Sequence, residues 1–152
     1  MPAAPSSSAA RPRAARLAVW ETAGCMLVVG PPRPTPDPDD PQAEPPEPPI
    51  WGYVVLNAVP GAGLAWIAEV AVAPDQRRRG LGQMLLGAAR AWARAPQSEG
   101  GAGGLAVLMV ELSPRNYPAI AFVRGARFHF AGYTDYTLAG GDLRLFFIRP
   151  TD

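Results

Sequence analysis

The chain reads as one α+β or mixed-sheet α/β domain with helices covering a sheet, and three observations predict it. Its 152 residues match the size of a single ordinary domain. From Cys25 onward, β-prone runs and helix-period runs follow in the order ββ β α β α β β, without an internal repeat. Two runs, Leu64 to Val72 and Leu105 to Leu112, are apolar nearly throughout with one acid each, Glu69 and Glu111, the pattern of strands buried on both faces.

Met1 to Arg16 holds Pro, Ala, Ser and Arg with no apolar periodicity, the composition of a disordered leader. It shares its lack of acids with organelle transit peptides but lacks their amphipathic pattern, and it has no secretory h-region, so a cytoplasmic location is expected. The ordered domain then spans residues 17–150. Cys25 to Val29 and Trp51 to Val59 form strands. Between them, residues 31–49 contain ten of the chain's 19 prolines and five of its 13 acids. Proline removes backbone donors and forbids regular helix, so this Pro- and acid-rich insertion in a hairpin is an exposed, polyproline-like loop. A solvated loop and a ligand for a proline-recognition module are its two readings.

Pro60-Gly61 makes a turn into the strand Leu64 to Val72. After Pro74-Asp75 an amphipathic helix carries Leu81, Leu85, Ala88 and Trp92 at helical spacing, presents Arg90 and Arg94 on its polar side, and ends at Pro96. Gly100 to Gly104 reads as a flexible loop before the strand Leu105 to Leu112. Ser113 to Asn116 offers capping residues for a second helix, Tyr117 to Arg124, stopped by Gly125. Phe128 to Tyr133 and Leu143 to Ile148 close the chain as an antiparallel pair across Gly140-Gly141.

Composition narrows the function. All 14 basic residues are arginine, set against 13 acids for a net charge of +1, which is not the balance of a nucleic-acid binder. No run of about 18 apolar residues provides a membrane span. A single cysteine, Cys25, excludes a disulfide framework and a multi-cysteine zinc site, and no metal is expected. Cys25, Met26, Met84 and Met109 read as core. His129 faces away from Phe128 and Phe130, and Ser113 before Pro114 is a turn hydroxyl.

The chemistry lies in Val70 to Leu86. A strand leads through a glycine-containing turn into a helix N-terminus, where unpaired N–H groups and the helix dipole favour an anion such as phosphate. Gly80 and Gly82 let an oxygen approach the backbone. The turn is neither a Walker loop nor G-x-G-x-x-G.

Arg77-Arg78-Arg79-Gly80-Leu81-Gly82 resembles the R/Q-x-x-G-x-G/A motif of the GCN5-related N-acetyltransferases, the GNAT family. Glu111, Asn116, Ala119, Phe122 and Phe128 resemble that family's strand-end Glu, N-x-x-A-x-x-F and closing aromatic. Ala65-Trp66-Ile67, Trp92-Ala93 and the tail Asp142 to Phe147 look like the streptothricin-acetyltransferase branch. The resemblance covers Gly24 to Ile148 and implies the acyl-CoA N-acyltransferase fold, a mixed and mostly antiparallel sheet with flanking helices.

It also implies acetyl-CoA as co-substrate, with the pantetheine arm against backbone near Ala71 and Val72. The pyrophosphate would rest on Arg77, Arg78, Arg79, Gly80, Leu81, Gly82 and Gln83, and Asn116 would approach the thiol end. A base takes the amine proton, backbone N–H near Ala71 polarises the thioester carbonyl, and an acid protonates the thiolate. Glu69 is the candidate base, with structural pairing as its other reading. Glu111 is a strand-end acid or part of the substrate site, and Asp135 a turn residue or a contact for a cationic acceptor.

Two departures stand out. The family's usual acid is a tyrosine seven residues after the asparagine, and that position is Val123. Tyr133 is the substitute named here, beside Tyr117, Tyr136 and water. A further family glycine is replaced by Arg127. At the front, the family's first strand and two helices have only Met1 to Gly24 available, so that wall is shortened or absent. Either the acceptor site is open, or a second subunit completes it in a homodimer, or the chain is an inactive relative. Two functions follow: acetyl transfer from acetyl-CoA to a primary amine of a small molecule or peptide, or an acyl-CoA-binding module of weak or no activity.

Overall fold

The computed structural model describes residues 19–22, 24–32, 34–35, 38–40, 46–136 and 140–152. The expected leader lies outside these residues, as do parts of the proline-rich stretch. Among the described residues, seven strands make one sheet: β1 (Val19–Thr22), β2 (Gly24–Val29), β3 (Gly52–Val59), β4 (Leu64–Val72), β5 (Val107–Leu112), β6 (His129–Asp135) and β7 (Leu143–Pro150). Helix α1 (Leu81–Arg94) joins β4 to β5, and α2 (Tyr117–Gly125) joins β5 to β6. The strand order is β1-β2-β3-β4-β5-β7-β6. Only β4 and β5 run parallel, as a helical crossover requires; the other neighbours are antiparallel.

The front of the chain is shortened in a specific way. A first strand exists, but Thr22 stands opposite Gly24 across a single connecting residue, which leaves no room for helices between β1 and β2. The proline-rich stretch leaves at Val29 and returns at Gly52, which pair directly. Trp51 N–H donates to the Val29 carbonyl at 2.8 Å, so the departure and return points are held together.

Period-two alternation decides the core. Cys25, Leu27, Val29, Val54, Leu56, Ala65, Ile67, Leu108, Val110 and Phe147 are buried on the face that carries the helices. From α1 they meet Leu81, Leu85, Leu86, Ala89 and Ala93, and Val123 of α2 joins the same cluster. The buried stripe of α1 is therefore rotated from the expected one, with Ala88 and Trp92 only partly covered. Each fully buried leucine contributes about 2 kcal/mol. Met26, Tyr53, Val55, Trp66 and Met109 alternate with core residues and are half-buried on the opposite face. Neither helix packs there.

That open face corrects the expectation that β4 is buried on both sides: Ala68 and Glu69 are exposed. The segment from Gly100 to Gly104 does not form a loose connection either. Ala102, Gly103 and Leu105 donate to the carbonyls of Trp92, Ala95 and Ala93, folding the segment onto the end of α1 and burying Ala102 and Leu105. The strand accordingly starts at Val107 rather than Leu105. At the end of α2, the left-handed residue is Arg127, at φ 63°, and Gly125 stays helical. Phe130 is 59% exposed. Ala131 bulges out of the register between Phe130 and Gly132, which turns the edge strand.

Candidate functional site

The site starts from a break in strand pairing. β4 and β5 are bonded only from Leu64↔Val107 to Ile67↔Val110. Beyond that point β4 continues along β3, and β5 continues along β7. The cause is visible next door: Val55 faces Glu69 while Leu56 faces Ile67, so Ala68 is an extra residue in β4. A bulge bends its strand, and this one bends β4 away from β5.

The parting leaves a gap lined by the end of β4. Ala73 N–H donates to the Trp51 carbonyl, which directs residue 73 toward β3. Alternation then directs the backbone of Ala71 to β3 as well, and the Ala71 carbonyl lies 2.8 Å from where a Cβ on Gly52 would stand. The backbone groups of Val70 and Val72 face the gap. This corrects the expectation for Ala71: its own N–H is used inside the sheet. Arg77 Nε donates to the Val72 carbonyl at 3.2 Å and anchors the following turn.

That turn delivers a helix N-terminus. Arg78 and Gly80 have φ of 64° and 78°. Gly80 is the N-cap residue of α1 and supplies no side-chain acceptor, and the first turn holds no acid. The leading N–H groups of the helix are thus available to an outside anion. Three exposed arginines surround them. Arg79 lies over the Trp51 ring at 5.5 Å and also bonds Gln76 Oε1. A Cβ on Gly82 would come within 2.9 Å of the Phe122 ring, so this glycine seats α2 against the first turn of α1. Leu81 faces the core and Gln83 is exposed.

Across the gap, Asn116 caps α2: its Oδ1 accepts from Ala119 N–H at 3.2 Å. Ser113 Oγ accepts from Arg115 N–H, the turn role expected of it. Val123 is buried at 3% exposure and offers no proton. Tyr133 is 66% exposed on β6, separated from β4 by β5 and β7. The structure does not bring it to the gap. Tyr117 and Tyr136 are also exposed, and Cys25 is buried in the core.

Glu69 stands on the open face beside the gap, not in a buried strand. Its Oε1 accepts a hydrogen bond from Tyr53 Oη at 2.6 Å. That bond, then desolvation and then the charge of Glu69, push the Tyr53 hydroxyl above the ordinary tyrosine range. Sequence reading passed over Tyr53. Its alternation with Gly52 and Val54 placed it on the outer face, but only the β3–β4 register joins it to Glu69. Glu111 is engaged by Arg144 Nε at 3.5 Å.

A family model described as acetyltransferase (GNAT) family matches residues 42–130. No curated protein matches the chain. Among solved structures, one described as a streptothricin acetyltransferase from Bacillus anthracis str. Ames, in complex with acetyl coenzyme A, has a TM-score of 0.62 at 16% identity, covering 91% of this chain and 86% of that one. Nourseothricin acetyltransferase has a TM-score of 0.57 at 26% identity, covering 91% and 84%. The ribosomal-protein-S18-alanine N-acetyltransferase of Escherichia coli has a TM-score of 0.57 at 19% identity, covering 87% and 72%.

Proposed function

The chain belongs to the acetyltransferase (GNAT) family, and from that premise we propose that it is an N-acetyltransferase moving an acetyl group directly from acetyl-CoA to a primary amine of a small molecule or peptide. One observation carries the reading: the gap between β4 and β5 runs directly into the uncapped N-terminus of α1. A strand edge without a partner suits the amide-bearing pantetheine arm, and free helix donors among arginines suit a pyrophosphate. A structure similar in fold is described as a complex with acetyl coenzyme A, which supports the same co-substrate here. The acceptors in the names of the similar structures, streptothricin, nourseothricin and a ribosomal-protein alanine, support the small-molecule or peptide class.

In this reading, Val70 and Val72 backbone groups hold the arm, with the Val70 N–H polarising the thioester carbonyl. Arg77, Arg78 and Arg79 with Gly80, Leu81, Gly82 and Gln83 hold the pyrophosphate, and Asn116 closes the thiol end. Bound acetyl-CoA supplies the activated acetyl group. Glu69 accepts the amine proton, directly or through one water. Proton delivery to the departing thiolate falls to water, because Val123 is inert and Tyr133 lies on a distant strand. The single domain of residues 17–150, with 31–49 as an insertion, carries all of these groups.

Buried Val123 favours a second reading, an acyl-CoA-binding module of low turnover. Calorimetry with acetyl-CoA tests what the two share: a Kd near or below about 100 µM is expected, and absence of binding refutes both. Release of free CoA across a panel of amines separates them. With an accepted amine, Glu69→Gln is expected to lower kcat/KM about 100-fold; unchanged turnover rejects Glu69 as base.

A further inference from the structure

We propose that Tyr53 is a positioning residue for Glu69, its hydroxyl fixing one carboxylate oxygen so that the other receives the amine proton. The inference rests on the reading of Glu69 as base. It starts from geometry: Tyr53 Oη donates to Glu69 Oε1 at 2.6 Å although the two residues are not cross-strand partners. Tyr53 is opposite Ala71, and Glu69 is opposite Val55, so the tyrosine reaches diagonally across the β3–β4 pair. Both side chains leave the sheet on the open face, beside the point where β4 parts from β5.

An exposed glutamate on a strand samples several rotamers, and holding one oxygen removes that freedom before substrate arrives. Tyr53 itself keeps its proton: its hydroxyl is pushed above the usual range by the same bond. In the step, an N–H bond of the substrate's ammonium form breaks, the proton passes to Glu69 Oε2, and the freed nitrogen lone pair attacks the thioester carbon; the C–N bond forms, the C–S bond breaks, and the departing thiolate takes up, through water, the second proton the nitrogen loses. Tyr53 O–H donates before and after and is not consumed. The other charged groups on this face among the described neighbours are Glu111 of β5 and Arg144 of β7. They engage each other at 3.5 Å, which leaves Tyr53 as the group bonded to Glu69.

The test compares Tyr53→Phe, Glu69→Gln and the double variant with wild type, following release of free CoA against amine concentration. Phenylalanine keeps the ring and deletes only the donor. Tyr53→Phe is expected to lower kcat about threefold while the KM for the amine and the acetyl-CoA Kd stay unchanged, because the donor orders the base without binding either substrate. The double variant is expected to match Glu69→Gln alone, because the donor acts only through the carboxylate. If Glu69→Gln is impaired while Tyr53→Phe keeps the wild-type kcat, the Tyr53 proposal is overturned and the base assignment stands. If Glu69→Gln keeps wild-type turnover, the base assignment falls and the proposal falls with it. A Tyr53→Phe loss of the same size in the Glu69→Gln background also overturns it, by showing that the hydroxyl acts elsewhere.

Discussion

The two helices begin in opposite ways. α2 is closed by its own chain: the Asn116 side chain accepts from Ala119 N–H, and Pro118 occupies the first turn, where an N–H would otherwise be unpaired. α1 starts at Gly80 with no side-chain acceptor and no acid, amid Arg77, Arg78 and Arg79. A 14-residue helix left open at its positive end forgoes the stabilisation of a cap. The difference teaches which end the chain satisfies by itself and which it leaves open, the end that the proposed function gives to the pyrophosphate. It also separates two uses of the left-handed region. Gly80 occupies it at no steric cost, whereas Arg78 in the same turn and Arg127 after α2 hold it with a side chain.

The comparison breaks most sharply at Gly80. A valine at φ 78° is strained, and its branches stand where an anion must approach, so Gly80→Val is expected to weaken acetyl-CoA binding about 100-fold by calorimetry. Wild-type affinity in that variant would mean that the open end of α1 is not the anion site. At α2 the expectation concerns folding: Asn116→Ala should cost about 1 kcal/mol, lowering the midpoint of thermal unfolding by about 3 °C. No loss of stability would remove the contrast between the two ends. The smallest effect has the opposite sign. Arg127→Gly relieves a left-handed side chain worth about 1–2 kcal/mol and adds unfolded-state entropy worth about 0.5–1. A net gain of about 0.5–1 kcal/mol is expected in urea unfolding. Arg149 gains too: its pKa is lowered by desolvation first, then by the charges of Arg90 and Arg127, the last of which the variant removes.

Much of this was legible in the residues. Apart from the four-residue β1, the strands and helices were read within a few residues of their ends, because each is written in a local period or bounded by Pro and Gly. The turn from Arg77 to Gln83 was legible for the same reason, since strand, turn and helix start are contiguous. Errors arose where burial depends on a distant partner. Leu64 to Val72 looked two-sided because apolarity was continuous, yet Glu69 is exposed, since no helix covers that face among the described residues. Ala71 was assigned a backbone role that alternation from Ala73 gives to its neighbours. Gly125 looked like the helix stop, but the turn falls two residues later, on Arg127.

By itself, then, the sequence determined the kinds of element, their order and the glycine-containing turn into α1, all properties of residues adjacent along the chain. Only the tertiary structure decided the gap between β4 and β5, the bare face behind it and the bond from Tyr53 to Glu69. Those depend on registers between segments 16 to about 40 residues apart. A one-residue change in register turns every side chain to the other face, and here the single extra residue Ala68 sets both where the strands part and where Glu69 points.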